Sequence, residues 1–171
     1  PRVADGSLPA VLLGSADVPV YSVHQPHGRS PFVLLADHAG QAIPAALGNL
    51  GLPAGEIDRH IGWDIGIAGV TRQLTGLLDA WAIEQHYSRL VIDCNRPLAS
   101  PTLMPAISDG TTVGANADVS AVQRQARIAA IHAPYHGAIA GELDRRQQAG
   151  TPTVLVLLHS FTPVMNGLAR P

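Results

Sequence analysis

Four short apolar runs, Phe32–Ala36, Trp81–Gln85, 90–93 and 153–158, limit the folds open to this chain more than any other feature. Each has the length of a buried strand and is too short for a core helix. Between the first two, Ile67, Val70, Leu74, Leu77 and Leu78 recur at helical spacing, and Asp64 stands where a carboxylate caps a helix or faces its first turn. The spacing predicts a helix over 64–79. A second helical pattern starts at Ser120 and carries Val122, Ala126, Ala129, Tyr135, Ile139 and Leu143, with Pro134 predicting a kink or two helices. Residues 99–116 lack periodicity and read as a long irregular loop. Strands alternating with helices predict an α/β layer fold, in which ligands gather at the carboxyl ends of the strands. Residues 32–171 form its single domain, and residues 1–31, broken by Pro9, Pro19, Pro26 and Pro31, an extended arm or edge.

A hydrophobic content of 46% in 171 residues suffices for one compact core, and 14% charged residues is low. A net charge of -2 without a basic block disfavours nucleic acid as a partner, since nothing is present to neutralise a run of phosphates. No stretch has the length and apolarity of a membrane span, and the single Cys94 cannot form an internal disulfide, so the cytoplasm is the expected location. Neither a Gly-x-Ser-x-Gly elbow nor a phosphate-cradling Gly-x-x-x-x-Gly-Lys loop occurs.

The polar residues at the predicted strand ends carry the chemistry. Arg89 precedes the run at 90–93 and Asn95-Arg96 follows it; guanidinium groups beside apolar residues call for an acidic partner, and arginine suits bidentate carboxylate recognition. A straight strand at ~3.3 Å per residue would hold Arg89 ~20 Å from Arg96, so the two share a pocket only if the chain bends. Arg89 is equally suited to a structural bridge with Asp93 or Glu84. His38 and His159 each end a strand, and two such imidazoles suggest part of a zinc site, with Asp64 the first choice for a third ligand. Against this, an isolated histidine is more often a hydrogen-bonded partner than a ligand, and the chain has eight. Asp64 could serve simply as a cap. Gln41, three residues after His38, ranks below Asp64 because a neutral amide is a poor zinc ligand. His136 reads as supporting or packing, and His60, Trp63 and Cys94 as structural.

These residues fall into ordered blocks: Ala36-Asp37-His38-Ala39-Gly40 with Ile43-Pro44, His60-Ile61-Gly62-Trp63-Asp64-Ile65-Gly66, 87–97, Pro134-Tyr135-His136, and His159-Ser160-Phe161-Thr162-Pro163. Together, over about Phe32 to Pro163, the chain resembles the N-formylglutamate amidohydrolase family, within the wider group of zinc carboxypeptidase-like and aspartoacylase-like hydrolases. The resemblance implies a three-layer α/β/α sandwich around a mixed, mostly parallel sheet of the phosphorylase/hydrolase-like kind. It implies hydrolysis of an N-acyl acidic amino acid such as N-formylglutamate to formate and glutamate, and a place in histidine degradation. Zn2+ or another divalent metal would be held by His38 and His159, with the middle ligand left open because Gln41 stands where carboxypeptidases have glutamate and Asp64 is the choice from the residues alone; Asn95 and Arg96 would grip the substrate carboxylate, and Arg89 would polarise the scissile carbonyl. It further implies a glutamate base in a Glu-x-Arg setting near the carboxyl end. Glu56, Glu84 and Glu142 lack those surroundings, so the expectation is a C-terminally incomplete domain, or a noncatalytic module that binds acyl-amino acids or peptides. The oligomeric state stays open.

Overall fold

The computed structural model describes residues 11–165 and 168–169. Residues 1–10 of the expected arm, and Asn166 and Gly167 of a turn-like Met-Asn-Gly, lie outside these. In chain order the strands are β1 (Tyr21–His24), β2 (Phe32–Ala36), β3 (Trp81–Gln85), β4 (Ile107–Ser108), β5 (Thr111–Thr112), β6 (Val154–Leu157), β7 (Val164–Met165) and β8 (Leu168–Ala169). The α-helices are α1 (Ile67–Leu78), α2 (Ala121–Arg127) and α3 (Ala133–Gln148). The main sheet runs β1-β3-β2-β6, with β2 parallel to both β3 and β6 and β1 an antiparallel edge on β3. β4 with β5, and β7 with β8, form separate two-stranded hairpins.

Alternation along the strands sends side chains to two opposite cores. Val33, Leu35, Trp81 and Ile83 pack with Ile131, Tyr135 and Ile139 from the helical run at 121–148, whereas Leu34 and Ala82 pack with Leu74 of α1. Helices therefore cover both faces of a mixed, mostly parallel sheet. Among the described residues no helix is long and apolar enough to cross a membrane.

Three local expectations change. Helix α1 starts after Gly66 rather than at Asp64, and its buried stripe is Ile67, Thr71 and Thr75, while Val70 and Leu77 face outward. The threonines bury their methyls without polar cost because each hydroxyl donates to the carbonyl four residues back, Ile67 O and Thr71 O, at 2.8 Å. The two helices expected here are α2 and α3, but they run on without a break, with Pro134 in the first turn of α3. The backbone carries the missing N–H by widening into a π-helical stretch, Ile128–His132, that joins α2 to α3. Residues 99–116 contain the β4–β5 hairpin, turned by Asp109 and Gly110, both at positive φ as a tight two-residue hairpin loop demands.

The run at 90–93 is not a strand. Val91 N donates to Ser88 O at 2.9 Å, closing a turn, and Leu90, Val91 and Ile92 are fully buried because that turn plugs into the larger core. Its backbone is tied elsewhere: Ser88 N to Ala42 O, Arg89 N to Gly62 O and Asp93 N to Leu103 O. An apolar triplet looks alike whether neighbouring strands or a surrounding core removes it from water.

Candidate functional site

The turn that follows β2 delivers Asp37 and His38 at the carboxyl end of the sheet. Gly40 fixes where this loop runs, since a Cβ there would lie 2.0 Å from His86 O, and Ala42 N next to it donates to that same carbonyl. A backbone bond from Asp64 N to His38 O, 2.9 Å, brings the second loop alongside. His159 arrives from the third, two residues beyond β6.

Once assembled, His38 and Asp64 are buried and His159 half-buried, and each offers a ligand atom within 4.8 Å of the others. When neutral, His38 donates from Nε2 to Asp93 Oδ1 at 2.7 Å, which leaves the lone pair of Nδ1 facing Asp64 Oδ2 at 3.6 Å. That Nδ1 is buried and, among the described residues, has no hydrogen-bond partner. His159 Nδ1 lies 2.9 Å from Asp64 Oδ2, which also accepts from Ser160 N at 3.2 Å. Asp64 thus caps no helix; its carboxylate sits between two imidazoles. An orphaned imidazole nitrogen, a second imidazole and a carboxylate on one small space form a donor set that zinc accepts. Gln41 points away, donating to Asp58.

Behind His38 stands Asp93, buried, and the turn at 88–91 wraps both arginines onto it. Its Oδ1 also accepts from Asn95 N at 2.9 Å, and its Oδ2 receives Arg89 at 3.1 Å with Arg96 at 3.8 Å. Arg89 additionally reaches Asp64 at 3.5 Å. The chain therefore bends as a shared pocket requires. Burial would raise the carboxyls of Asp93 and Asp64, but the adjacent His38, with Arg89 and, for Asp64, the His159 hydrogen bond, holds both below their ordinary range. Burial would likewise lower His38, yet the carboxylates of Asp64 and Asp93 beside it raise it. The turn is braced from beneath: Ser88 Oγ donates to Gly62 O at 2.7 Å and Arg127 donates to Val91 O at 3.0 Å. On its far side His136 donates to Cys94 O at 2.9 Å. The Cys94 thiol is buried and pushed up by that burial and by the charges of Asp37 and Asp93, so it is no nucleophile.

His38, Asp64, His159, Arg89, Asn95 and Arg96 all line one cleft of about 460 Å³. Arg96 is half-exposed there. The β4–β5 hairpin forms the opposite wall, with His60 3.1 Å from Asp109. None of the three glutamates lines it: Glu84 is held by Arg72 and His24, Glu142 by Arg145 and Arg146, and Glu56 by Arg59 and Thr111. The bridge from Arg89 to Asp93 that the sequence offers forms, at 3.1 Å, but the further role of Asp93 as the hub that also holds His38 was missed, although a carboxylate two residues before Asn95-Arg96 was a usable signal.

An α/β scaffold whose strand ends gather imidazole, carboxylate and guanidinium groups in one cleft has the layout of a small-molecule site. Residues 30–171 match the profile of the family described as N-formylglutamate amidohydrolase. The chain belongs to that family. The crystal structure of gene product Atu2144 from Agrobacterium tumefaciens superposes with a TM-score of 0.90 at 36% identity, covering 93% of this chain and 63% of that one. N-formylglutamate amidohydrolase from Ralstonia eutropha JMP134 shares the fold, with a TM-score of 0.58 at 19% identity over 84% of this chain and 58% of that one. The chain thus spans less than two thirds of the length of either structure. No curated protein matches it.

Proposed function

We propose that the chain forms the ion- and carboxylate-binding part of an amidohydrolase that cleaves an N-acyl acidic amino acid, N-formylglutamate-like, to formate and glutamate. One observation carries this: three ligand atoms within 4.8 Å and two arginines on one buried carboxylate open into the same cleft. Zinc as the ion, a cytoplasmic setting and a context in histidine degradation belong to the proposal. His38 Nδ1, Asp64 and His159 Nδ1 would hold the ion. Bound there, it would polarise the scissile carbonyl and lower the pKa of water.

The rest of the work falls to side chains. Arg96 and Asn95, exposed at the cleft wall, bind the substrate carboxylate, and Arg96 does so bidentately because Asp93 takes only a loose share of its guanidinium at 3.8 Å. Arg89, fixed by Asp93 and Asp64, presents charge where oxyanion character develops. Asp93 orients His38 through Nε2 so that Nδ1 faces the ion site.

Glu56, Glu84 and Glu142 are all tied to arginines outside the cleft, which favours a second reading, binding of the acyl-amino acid without turnover. Metal analysis with measurement of formate released from N-formyl-L-glutamate separates the two. Bound zinc with formate supports hydrolysis, and zinc with substrate binding but no formate supports the binding module. A chain that takes up neither zinc nor the acid removes both.

A further inference from the structure

We infer that Asp37, held by Tyr135, is a positioning residue for His159. The inference rests on the ion site proposed above. His159 has two ring nitrogens and, when neutral, one proton to place. Nδ1 faces Asp64 at 2.9 Å, where an ion would sit, so a ligating His159 must carry its proton on Nε2. The carboxylate on that side is Asp37, whose Oδ2 lies 3.9 Å from Nε2. At that range it acts as a charge, favouring the N–H there and leaving Nδ1 as a lone pair. The Asn95 side-chain NH2 lies 3.3 Å from Nε2, so once Nδ1 ligates and Nε2 carries the hydrogen the amide must turn its carbonyl inward to accept it.

Asp37 is nearly buried, and a carboxylate in such a place is held only by what it bonds. Tyr135, fully buried, donates its hydroxyl to Asp37 Oδ1 at 2.6 Å. Burial and the Asp37 charge push the phenol well above its ordinary value, so it remains a donor. Tyr135 sits just after the π-helical stretch, on a helical surface whose neighbours His132 and His136 donate to Arg96 O and Cys94 O. One helical turn therefore grips Asp37 and the loop bearing Asn95 together. The result is a symmetrical support: Asp93 behind His38, and Asp37, buttressed by Tyr135, behind His159.

The test measures zinc affinity of the whole chain by chelator competition for Tyr135→Phe, Asp37→Asn and the double variant, with melting curves in EDTA alongside. Tyr135→Phe and Asp37→Asn should each weaken zinc about tenfold or more. Because Tyr135 acts through Asp37, the double variant should lose no more than Asp37→Asn alone. Wild-type affinity in Tyr135→Phe, or losses that simply multiply in the double variant, would overturn the assignment. If Asp37→Asn does not fold, the Tyr135→Phe affinity decides by itself. A wild-type chain that binds no zinc overturns the ion site, and this inference with it, whereas wild-type binding with an unaffected Tyr135→Phe overturns this inference only.

Discussion

Replacing Asp93 by Asn keeps the shape of the hub and removes its charge. The carboxylate serves His38 and Asn95 N with Oδ1 and Arg89 with Oδ2. An Asn amide can keep the first pair through its one oxygen, but then turns its NH2 toward a guanidinium, placing donor against donor. A lost charge-assisted hydrogen bond costs about 1.5–3 kcal/mol. With Asp93 at 3% exposure solvent does not screen it, although part is returned because a carboxylate is itself costly to bury. A net loss of about 2 kcal/mol lowers Tm by about 4–8 °C for a chain of this size. An ion ligand whose orienting partner is weakened typically loses about 10–100-fold in affinity. Urea unfolding in EDTA reads the first quantity and competition with a chelator the second. Zinc affinity within about twofold of wild type, alongside the expected fall in stability, would show that Asp93 serves the fold alone and would refute its role in aiming His38.

Arg96→Ala should raise KM for the acid about tenfold or more with kcat little changed, since the lost contact is to a part of the substrate that does not react; steady-state kinetics or titration calorimetry checks it. Glu142→Gln should destabilise by about 3 kcal/mol, because it strips the buried Arg146 of its carboxylate. The Glu142 carboxyl is favoured by its arginines over the opposing effect of burial and lies below its ordinary value of 4.5, so its contribution is complete above that value and is lost as pH falls through the lowered one. The Tm gap between wild type and variant should accordingly be flat from about pH 8 to 5 and narrow below that. Gly40→Ala should cost about 1–3 kcal/mol and loosen the His38 loop, as its Cβ would meet backbone; a melting curve with zinc titration reports both.

Phe32–Ala36 and Trp81–Gln85 were legible because their burial comes from neighbours in a regular ladder, which imposes a local pattern of length and apolarity. The run at 90–93 has the same composition, but its burial is decided by Tyr87, Ile131 and Leu103 around a turn, contacts no local pattern encodes. His38 and His159 announced themselves by standing at strand ends. Their supports did not: Asp93 meets His38 across 55 residues and Tyr135 meets Asp37 across 98. The inner face of α1 was misjudged for a different reason. Thr71 and Thr75 count as polar in a sequence and become apolar only when their hydroxyls return to the helix backbone.

Among the described residues strand β6 borders one side of the main sheet, and Val154, Leu155 and Leu157 are about half open to water along it without a charge among them. Such a border is a template for adhesion between polypeptides, as its outward amides and carbonyls invite a stranger's backbone. Since His159 hangs from the end of that same strand, crowding at high protein concentration and weakened zinc uptake at the proposed ion site should appear together in light scattering and chelator titrations.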